Sequence, residues 1–298
     1  MSITAKIVKD SVSSGGHRIT TFQLKYPRFI HAEFMTHRVF SRNASSSRAI
    51  PIKKSLQNIK EDMAFPIEFK ANKPGMQAGG VLSPFKQKLC RAAWRACGYA
   101  ACGFGWLLHK IGAHKQYANR VTEPWSHISV VVTATEWTNF FALRYHSMAQ
   151  PEICELAKQM WCLYTKNIPK RLDSCEWHLP YVSYEEEREY HEAEDGCVIP
   201  DIDYWMPLIR RSVARCARVS YLTHDGKKPS VENDDKLYER LLGAQPIHAS
   251  PAEHQARPSE LIMPETEHPS RSGNFVGWVQ FRKTLDHENI SEFKGPLG

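Results

Sequence analysis

The sequence predicts an α/β fold of the α+β kind, with strands near the start and long helices after them. Three observations carry this. Residues 20–26, Thr-Thr-Phe-Gln-Leu-Lys-Tyr, alternate polar and apolar side chains as a half-buried strand does. Residues 83–170 read as mostly helical. A further helical pattern returns after residue 206.

The elements follow in order. Residues 29–35, Phe-Ile-His-Ala-Glu-Phe-Met, interleave large apolar and polar residues and predict an amphipathic strand or helix. Ser83 is placed to cap a helix with Pro84 in its first turn, running to about His109. Residues 96–108 are the most apolar stretch and contain three glycines. They are too short for the roughly 20 residues that span a bilayer and predict a buried helix whose small residues allow close packing. A second helix is expected from about Thr135 to Arg144. A third is expected from about Pro151, with Ile153, Leu156, Met160 and Leu163 on one face. Residues 171–205 hold the run Tyr184-Glu185-Glu186-Glu187-Arg188-Glu189 and predict an exposed acidic helix or connector. Ser230 is expected to cap a helix containing Leu237, Leu241 and Leu242 that stops at Gly243. Residues 246–254, Pro-Ile-His-Ala-Ser-Pro-Ala-Glu-His, form a rigid polar turn by their prolines.

With 298 residues, 42% of them hydrophobic, the chain can build a sizeable core as one large domain or two ordinary ones. It opens without a secretory pattern. Its eight cysteines form no C-x-x-C pair and predict reduced core cysteines in a cytoplasmic protein. Neither these nor the fourteen histidines show metal-ligand spacing, so no metal is expected. The net charge of +7 fits anionic partners. The basic residues are dispersed, which gives little support to nucleic-acid binding.

Residues 36–48, Thr-His-Arg-Val-Phe-Ser-Arg-Asn-Ala-Ser-Ser-Ser-Arg, concentrate three arginines, a histidine, an asparagine and four serines. Arginine grips an oxyanion in a two-pronged fork, and serines let backbone N–H groups approach a ligand. The pattern suits a phosphate-bearing ligand beside a planar ring, and structured flanks on both sides hold it on a scaffold.

This segment resembles the signature of the flavin-dependent thymidylate synthases, Arg-His-Arg followed after seven residues by Ser. His37, Arg38, Ser41, Asn43, Ser46 and Arg48 fall in register, and Thr36 replaces the leading Arg. Residues 119–124, 139–144 and 149–153 resemble later family segments in the family's order. Residues 217–221, Ala-Arg-Val-Ser-Tyr, and 248–254 resemble segments that precede the signature in ordinary members. The resemblance therefore implies a circularly permuted version of that fold, a mixed sheet with long helices. Residues 1–170 and 206–298 would be two parts of one catalytic domain, joined by residues 171–205.

The resemblance implies C5 methylation of dUMP to dTMP, with FAD, methylene-tetrahydrofolate and NADPH, in a homotetramer whose sites are shared between subunits. It implies that Ser46, Ser47 and Arg48 hold the nucleotide, with Arg120 and Arg144 adding contacts. Ser46, Arg48 and Arg144 are the expected catalytic residues. His37, Arg38, Asn43, Asn139, Ser220, His248, Ser250 and Glu253 would line the flavin site. No protein nucleophile is implied, in keeping with cysteines that lack a reactive context.

Two departures bear on substrate: Ala44 stands where members have Glu, and Glu33 where they have Gln. Gln280 or Arg282 could compensate. A carboxylate at position 33 suits the cytosine amine, so dCMP methylation or hydroxymethylation is the alternative substrate reading. A flavin or nucleotide binder without synthase activity, and a basic nucleic-acid-binding protein, are the readings from other classes.

Overall fold

The computed structural model describes residues 3–75, 77–194, 201–219, 229–259 and 269–289. The chain begins with a hairpin, β1 (Thr4–Ser13) and β2 (Arg18–Pro27). A 3-10 turn leads to α1 (His31–Met35), then β3 (Ser41–Ala44) and α2 (Ile52–Glu61). Next come α3 (Pro84–Ile111), α4 (Lys115–Ala118) and β4 (His127–Ala134). After them come α5 (Thr138–Arg144), α6 (Pro151–Lys166) and the short β5 (Lys170–Leu172). The C-terminal half holds α7 (Tyr184–Ala193), α8 (Ile202–Arg218) and α9 (Val231–Leu242). It ends on a two-stranded sheet of β6 (Ala256–Pro258) and β7 (Trp278–Gln280).

The main sheet has the order β3-β4-β2-β1-β5, antiparallel except where β1 meets β5. It is therefore a mixed sheet in an α+β fold. Its strands send alternate side chains to opposite faces. Phe22, Leu24, Tyr26, Val130 and Val132 form one face, packed with Phe34 of α1, Phe140 of α5 and Leu156 and Met160 of α6 in the principal core.

The opposite face is polar and equally covered. Lys9 donates to the Val182 carbonyl and Glu187. Gln23 donates to the Val219 carbonyl, and Asn43 to those of Cys216 and Ala217. Ser41 bonds Asn274 and Gln280. Across its centre runs a continuous line of buried hydrogen bonds. Ser11 Oγ meets His178 Nδ1 at 2.9 Å, and His178 Nε2 meets Thr21 Oγ1 at 2.8 Å. Thr21 meets its cross-strand partner Thr133 at 2.7 Å, and Thr133 meets His254 Nδ1 at 2.9 Å. The C-terminal half thus docks on the sheet through these polar groups and through Ile19 and Val131 on the same face, which cluster with Trp278 and Phe275 and with Tyr181 and Val219.

The expected strand and helices appear close to their predicted positions. α5 begins three residues after Thr135 because Thr135 still belongs to the turn that follows β4. Ser83 occupies the cap position of α3, but its hydroxyl makes no capping bond. Ser230 does cap α9, accepting from the Asn233 N–H.

Three expectations need correction. Residues 96–108 are not a buried helix: within α3 only Gly98, Ala101, Cys102 and Gly105 are buried, and Tyr99, Phe104 and Leu107 are exposed. Two of its glycines do serve close packing, since a Cβ on Gly98 would meet Met63 and Trp125 and one on Gly105 would meet the Ala118 carbonyl. No helix among the described residues is long and apolar enough to cross a membrane.

The cysteines are free, but of the seven described only Cys102 and Cys216 are buried. The acidic stretch is helical in α7, yet it is not simply exposed. Trp177, Leu179 and Val182 enter the core, and Glu186 pairs with Arg215, which is 3% exposed. Asp234, fully buried, completes this network with Arg215 and Arg218.

Two outcomes test this architecture. Thr133→Val strips Thr21 and His254 of a shared partner. A buried orphan costs about 1–3 kcal/mol, so the urea midpoint should fall, and an unchanged midpoint refutes the role given to the line. Burial keeps His254 deprotonated down to about pH 3 and holds His178 well below its ordinary value of 6.5. The unfolded chain takes up those protons near 6.5, so stability is full above that value and falls as pH drops below it. The slope approaches about 1.4 kcal/mol per pH unit for each histidine. Urea melts at pH 7 and pH 5 measure it, and equal midpoints would contradict the assignment.

Candidate functional site

The polar segment of residues 36–48 does not converge on one pocket. β3 runs through its middle, at about 3.3 Å per residue, and carries its two ends apart. The leading end and the trailing end line separate cavities.

The front cavity has a volume of about 1000 Å³. His37, Arg38, Asn139 and Arg144 line it together with Thr135 and Arg18. α1 and α5 bring these residues side by side. Arg144 Nε donates to His37 Nε2 at 3.0 Å, and Nη2 donates to the Thr36 hydroxyl at 3.2 Å. Nη1 lies 3.4 Å from the Glu33 carboxylate. Thr36 in turn donates to the Glu33 carbonyl. Because the Arg144 N–H donates to Nε2, the neutral His37 ring carries its proton on Nδ1. Burial, then the Arg144 and Arg42 cations, push the His37 pKa down to about 4.

His37 also packs against Phe40 and edge-on to Phe140. Arg42 closes the C-terminal end of α1, donating to the carbonyls of Met35 and His37. Sequence reasoning passed over Arg42, although it lies inside the polar segment. Its spacing from α1 is visible only once the chain has turned back along β3.

The rear cavity, about 510 Å³, is lined by Ser46, Ser47, Arg48 and Arg120, with Arg28, His31 and Glu123. Ser47 donates to Glu123 at 2.7 Å. Arg28 and Arg120 lie 3.8 and 3.9 Å from the same carboxylate. Among the described residues neither Arg38 nor Arg48 has a side-chain hydrogen bond or ion pair, so each cavity keeps one uncommitted guanidinium. Arg28 and Glu123 were not singled out in the sequence, where they lie on opposite sides of the polar segment, 8 residues before it and 75 after it.

The remaining predicted residues form a third cluster. Ser250 Oγ donates to Asn43 Oδ1 at 3.3 Å. Glu253 pairs with Arg282, and its carbonyl accepts from Gln280. Gln280 is 2% exposed and directs its amide N–H groups to Ser41, the Glu253 carbonyl and Asn274. Arg282 is held by Glu253 and Glu288. Glu33 is the acidic neighbour of Arg144.

His248 is exposed, and its backbone N–H donates to the Leu241 carbonyl. Ser220 lies outside the described residues. Val219 before it ends α8 at φ 57°, a left-handed conformation that is strained for a β-branched residue. No group of three His, Cys, Asp or Glu among the described residues could hold a metal ion.

Residues 11–170, more than half of the chain, match the model of the Thy1 family, thymidylate synthase complementing protein. The chain belongs to this family. It is accordingly a thymidylate synthase-like methyltransferase. Similar solved structures include crystal structures of a UMP/dUMP methylase PolB from Streptomyces cacaoi. The one bound with 5-Br UMP is 21% identical, covering 55% of this chain and 89% of that one at a TM-score of 0.47. The one bound with 5-Br dUMP is also 21% identical, covering 55% and 90% at a TM-score of 0.45. No curated protein sequence matches the chain.

In Arg144→Met the His37 ring loses its nearest cation and its lowered pKa should move up toward 6.5. The imidazole C–H signals in an NMR titration report it, and an unmoved midpoint would show that Arg144 does not act on His37.

Proposed function

We propose that the chain converts dUMP to dTMP, with FAD, methylene-tetrahydrofolate and NADPH. Thy1 family membership supports the reaction class. The observation that carries the residue roles is the front cavity, where His37, Arg38, Asn139 and Arg144 meet. Its volume suits a large cofactor, and its uncommitted Arg38 suits a diphosphate. His37, Arg38 and Asn139 would hold FAD, with Asn43, Ser250 and Glu253 behind β3. When bound, FAD supplies hydride transfer and the folate supplies the one-carbon unit.

The protein's own part is positioning and charge. Ser46, Ser47, Arg48 and Arg120 would hold the nucleotide phosphate in the rear cavity. Arg144, braced by Glu33, Thr36 and His37, would face the pyrimidine and stabilise charge on its carbonyl. The pairing of Glu33 with Arg144 removes the carboxylate from recognition of a cytosine amine and favours dUMP over dCMP. A neutral His37 leaves Arg144 free of a second adjacent cation.

A homotetramer with shared sites is part of this reading: the front and rear cavities are lined by different residues of one chain, and a neighbouring copy would unite them. Phe85, Leu89, Tyr99, Phe104, Leu107 and Ile111 of α3, all exposed, supply apolar surface for such contacts. A permuted motif order finds support in Asn43, which bonds to both out-of-order segments, at Cys216 and Ala217 and at Ser250.

Purified protein should show a flavin spectrum after addition of FAD and form dTMP from dUMP in a complete assay. No flavin binding, or product from dCMP alone, defeats the proposal. A lost buried charged contact costs about 2–5 kcal/mol. Arg48→Ala and Arg144→Ala should therefore each lower kcat/KM by about 30-fold or more, and near wild-type values in both would refute the assigned roles.

A further inference from the structure

His31 opens α1 and lines the rear cavity. Its ring is half-buried and leans on the core. Behind it stands Tyr26 of β2, which is 0% exposed and packs against Phe34. The Tyr26 hydroxyl meets His31 Nδ1 at 2.9 Å, and this is its one hydrogen bond among the described residues.

That bond fixes the ring. Burial raises the Tyr26 pKa far above its ordinary value, so the phenol keeps its proton. A buried phenol O–H needs an acceptor, and Nδ1 is the acceptor in reach. Were Nδ1 protonated, the phenol O–H would be left unmet. The ring itself is neutral, because burial, then the Arg28 and Arg42 cations, lower the His31 pKa. A neutral imidazole that accepts at Nδ1 carries its proton on Nε2.

Nε2 meets no partner among the described residues, and it is not among the buried unpaired atoms. Nδ1 is turned to the core, so the accessible edge of the ring, with its Nε2–H, belongs to the cavity. There it joins a set of donors. Arg48 keeps its guanidinium uncommitted. The Ser46 hydroxyl accepts from the Arg48 backbone N–H, which leaves its own proton to donate. The Glu123 carboxylate is the one acidic group of the lining, against Arg28, Arg48 and Arg120. It is already engaged by Ser47 and flanked by Arg28 and Arg120. A cavity with free donors, surplus positive charge and an occupied carboxylate takes a group that only accepts, an oxyanion.

We propose that His31 is a further nucleotide-binding residue, donating its Nε2–H to a phosphate oxygen in the rear cavity, and that Tyr26 is the positioning residue that fixes this sense of the ring. The proposal rests on the placement of the nucleotide phosphate in the rear cavity proposed above and adds to it a neutral donor whose direction the core sets. Arg48 and Ser46 sit on the signature loop, while His31 is tied through Tyr26 to the central sheet. The phosphate would thereby bridge loop and scaffold.

Isothermal titration of the full chain with dUMP tests this. Wild type should bind saturably. His31→Phe keeps the ring shape and loses the donor, and it should weaken binding by about tenfold or more, as expected for a hydrogen bond to a charged group. His31→Gln carries an N–H to about the reach of Nε2 and should bind more tightly than His31→Phe. Arg48→Ala, run in parallel, reports the phosphate placement itself. Weakened binding in Arg48→Ala beside undiminished binding in His31→Phe overturns the inference and leaves the placement standing. Undiminished binding in Arg48→Ala, or no saturable binding by wild type, defeats the placement and the inference with it. If His31→Phe does not fold, the double variant Tyr26→Phe/His31→Phe, which leaves no buried hydroxyl unpaired, takes its place. Two-bond proton–nitrogen NMR spectra read the ring directly, with His31→Gln supplying the assignment. The His31 proton should sit on Nε2, the Nε2 signal should shift on addition of dUMP, and Tyr26→Phe should shift the Nδ1 signal. A proton on Nδ1, or an Nδ1 signal unmoved in Tyr26→Phe, would overturn the inference.

Discussion

The polar face of the main sheet is the constraint on which the rest of the molecule depends. Lys9, Ser11, Thr21, Gln23, Ser41, Asn43 and Thr133 point to one side of four strands. A face of that composition can be buried only if each group finds a partner. Residues from 178 to 280 provide them: His178, Val182, Cys216, Val219, His254, Asn274 and Gln280. Apolar packing organises the helices on the other face, where a shift of one residue would expose Phe22 or Leu24. On the polar face the hydrogen bonds themselves select the docking geometry, because a displaced C-terminal half would leave several buried groups unmet at once.

The candidate site inherits this arrangement. β3 is an edge strand whose inward residues, Ser41 and Asn43, belong to the polar face. Anchoring them fixes where the signature segment enters and leaves the sheet. Its leading end turns with α1 toward α5, and its trailing end turns toward the segment before β4. One short motif thereby lines two cavities.

Neutral histidines are a second consequence of dense burial in a chain of net charge +7. His37, His178 and His254 are each surrounded so that a proton would be costly, by burial in every case and by neighbouring arginines for His37. Their rings then act as hydrogen-bonding groups with defined donor and acceptor sides. In His37 this turns the acceptor nitrogen toward Arg144. In His178 and His254 it extends a line of hydroxyls that neither strand could complete alone.

The strand β2, the helices α3, α5, α6 and α9, the signature segment and its resemblance to the flavin-dependent thymidylate synthases were legible in the sequence by itself. Each rests on local periodicity, capping chemistry or a contiguous motif. Some features of side-chain environment were not. The apolar run of α3 reads as buried because hydropathy does not say which face of a helix finds a neighbour. The acidic run of α7 reads as solvated because the buried cation that Glu186 pairs with, Arg215, lies 29 positions away. The burial of Gln280 against Ser41 and Asn274 joins positions that lie far apart or carry no local signal. The pairing of Arg28 and Arg120 with Glu123, and the cavity they share, are decided by tertiary structure alone, because burial and hydrogen-bond pairing are properties of space that no spacing along the chain encodes.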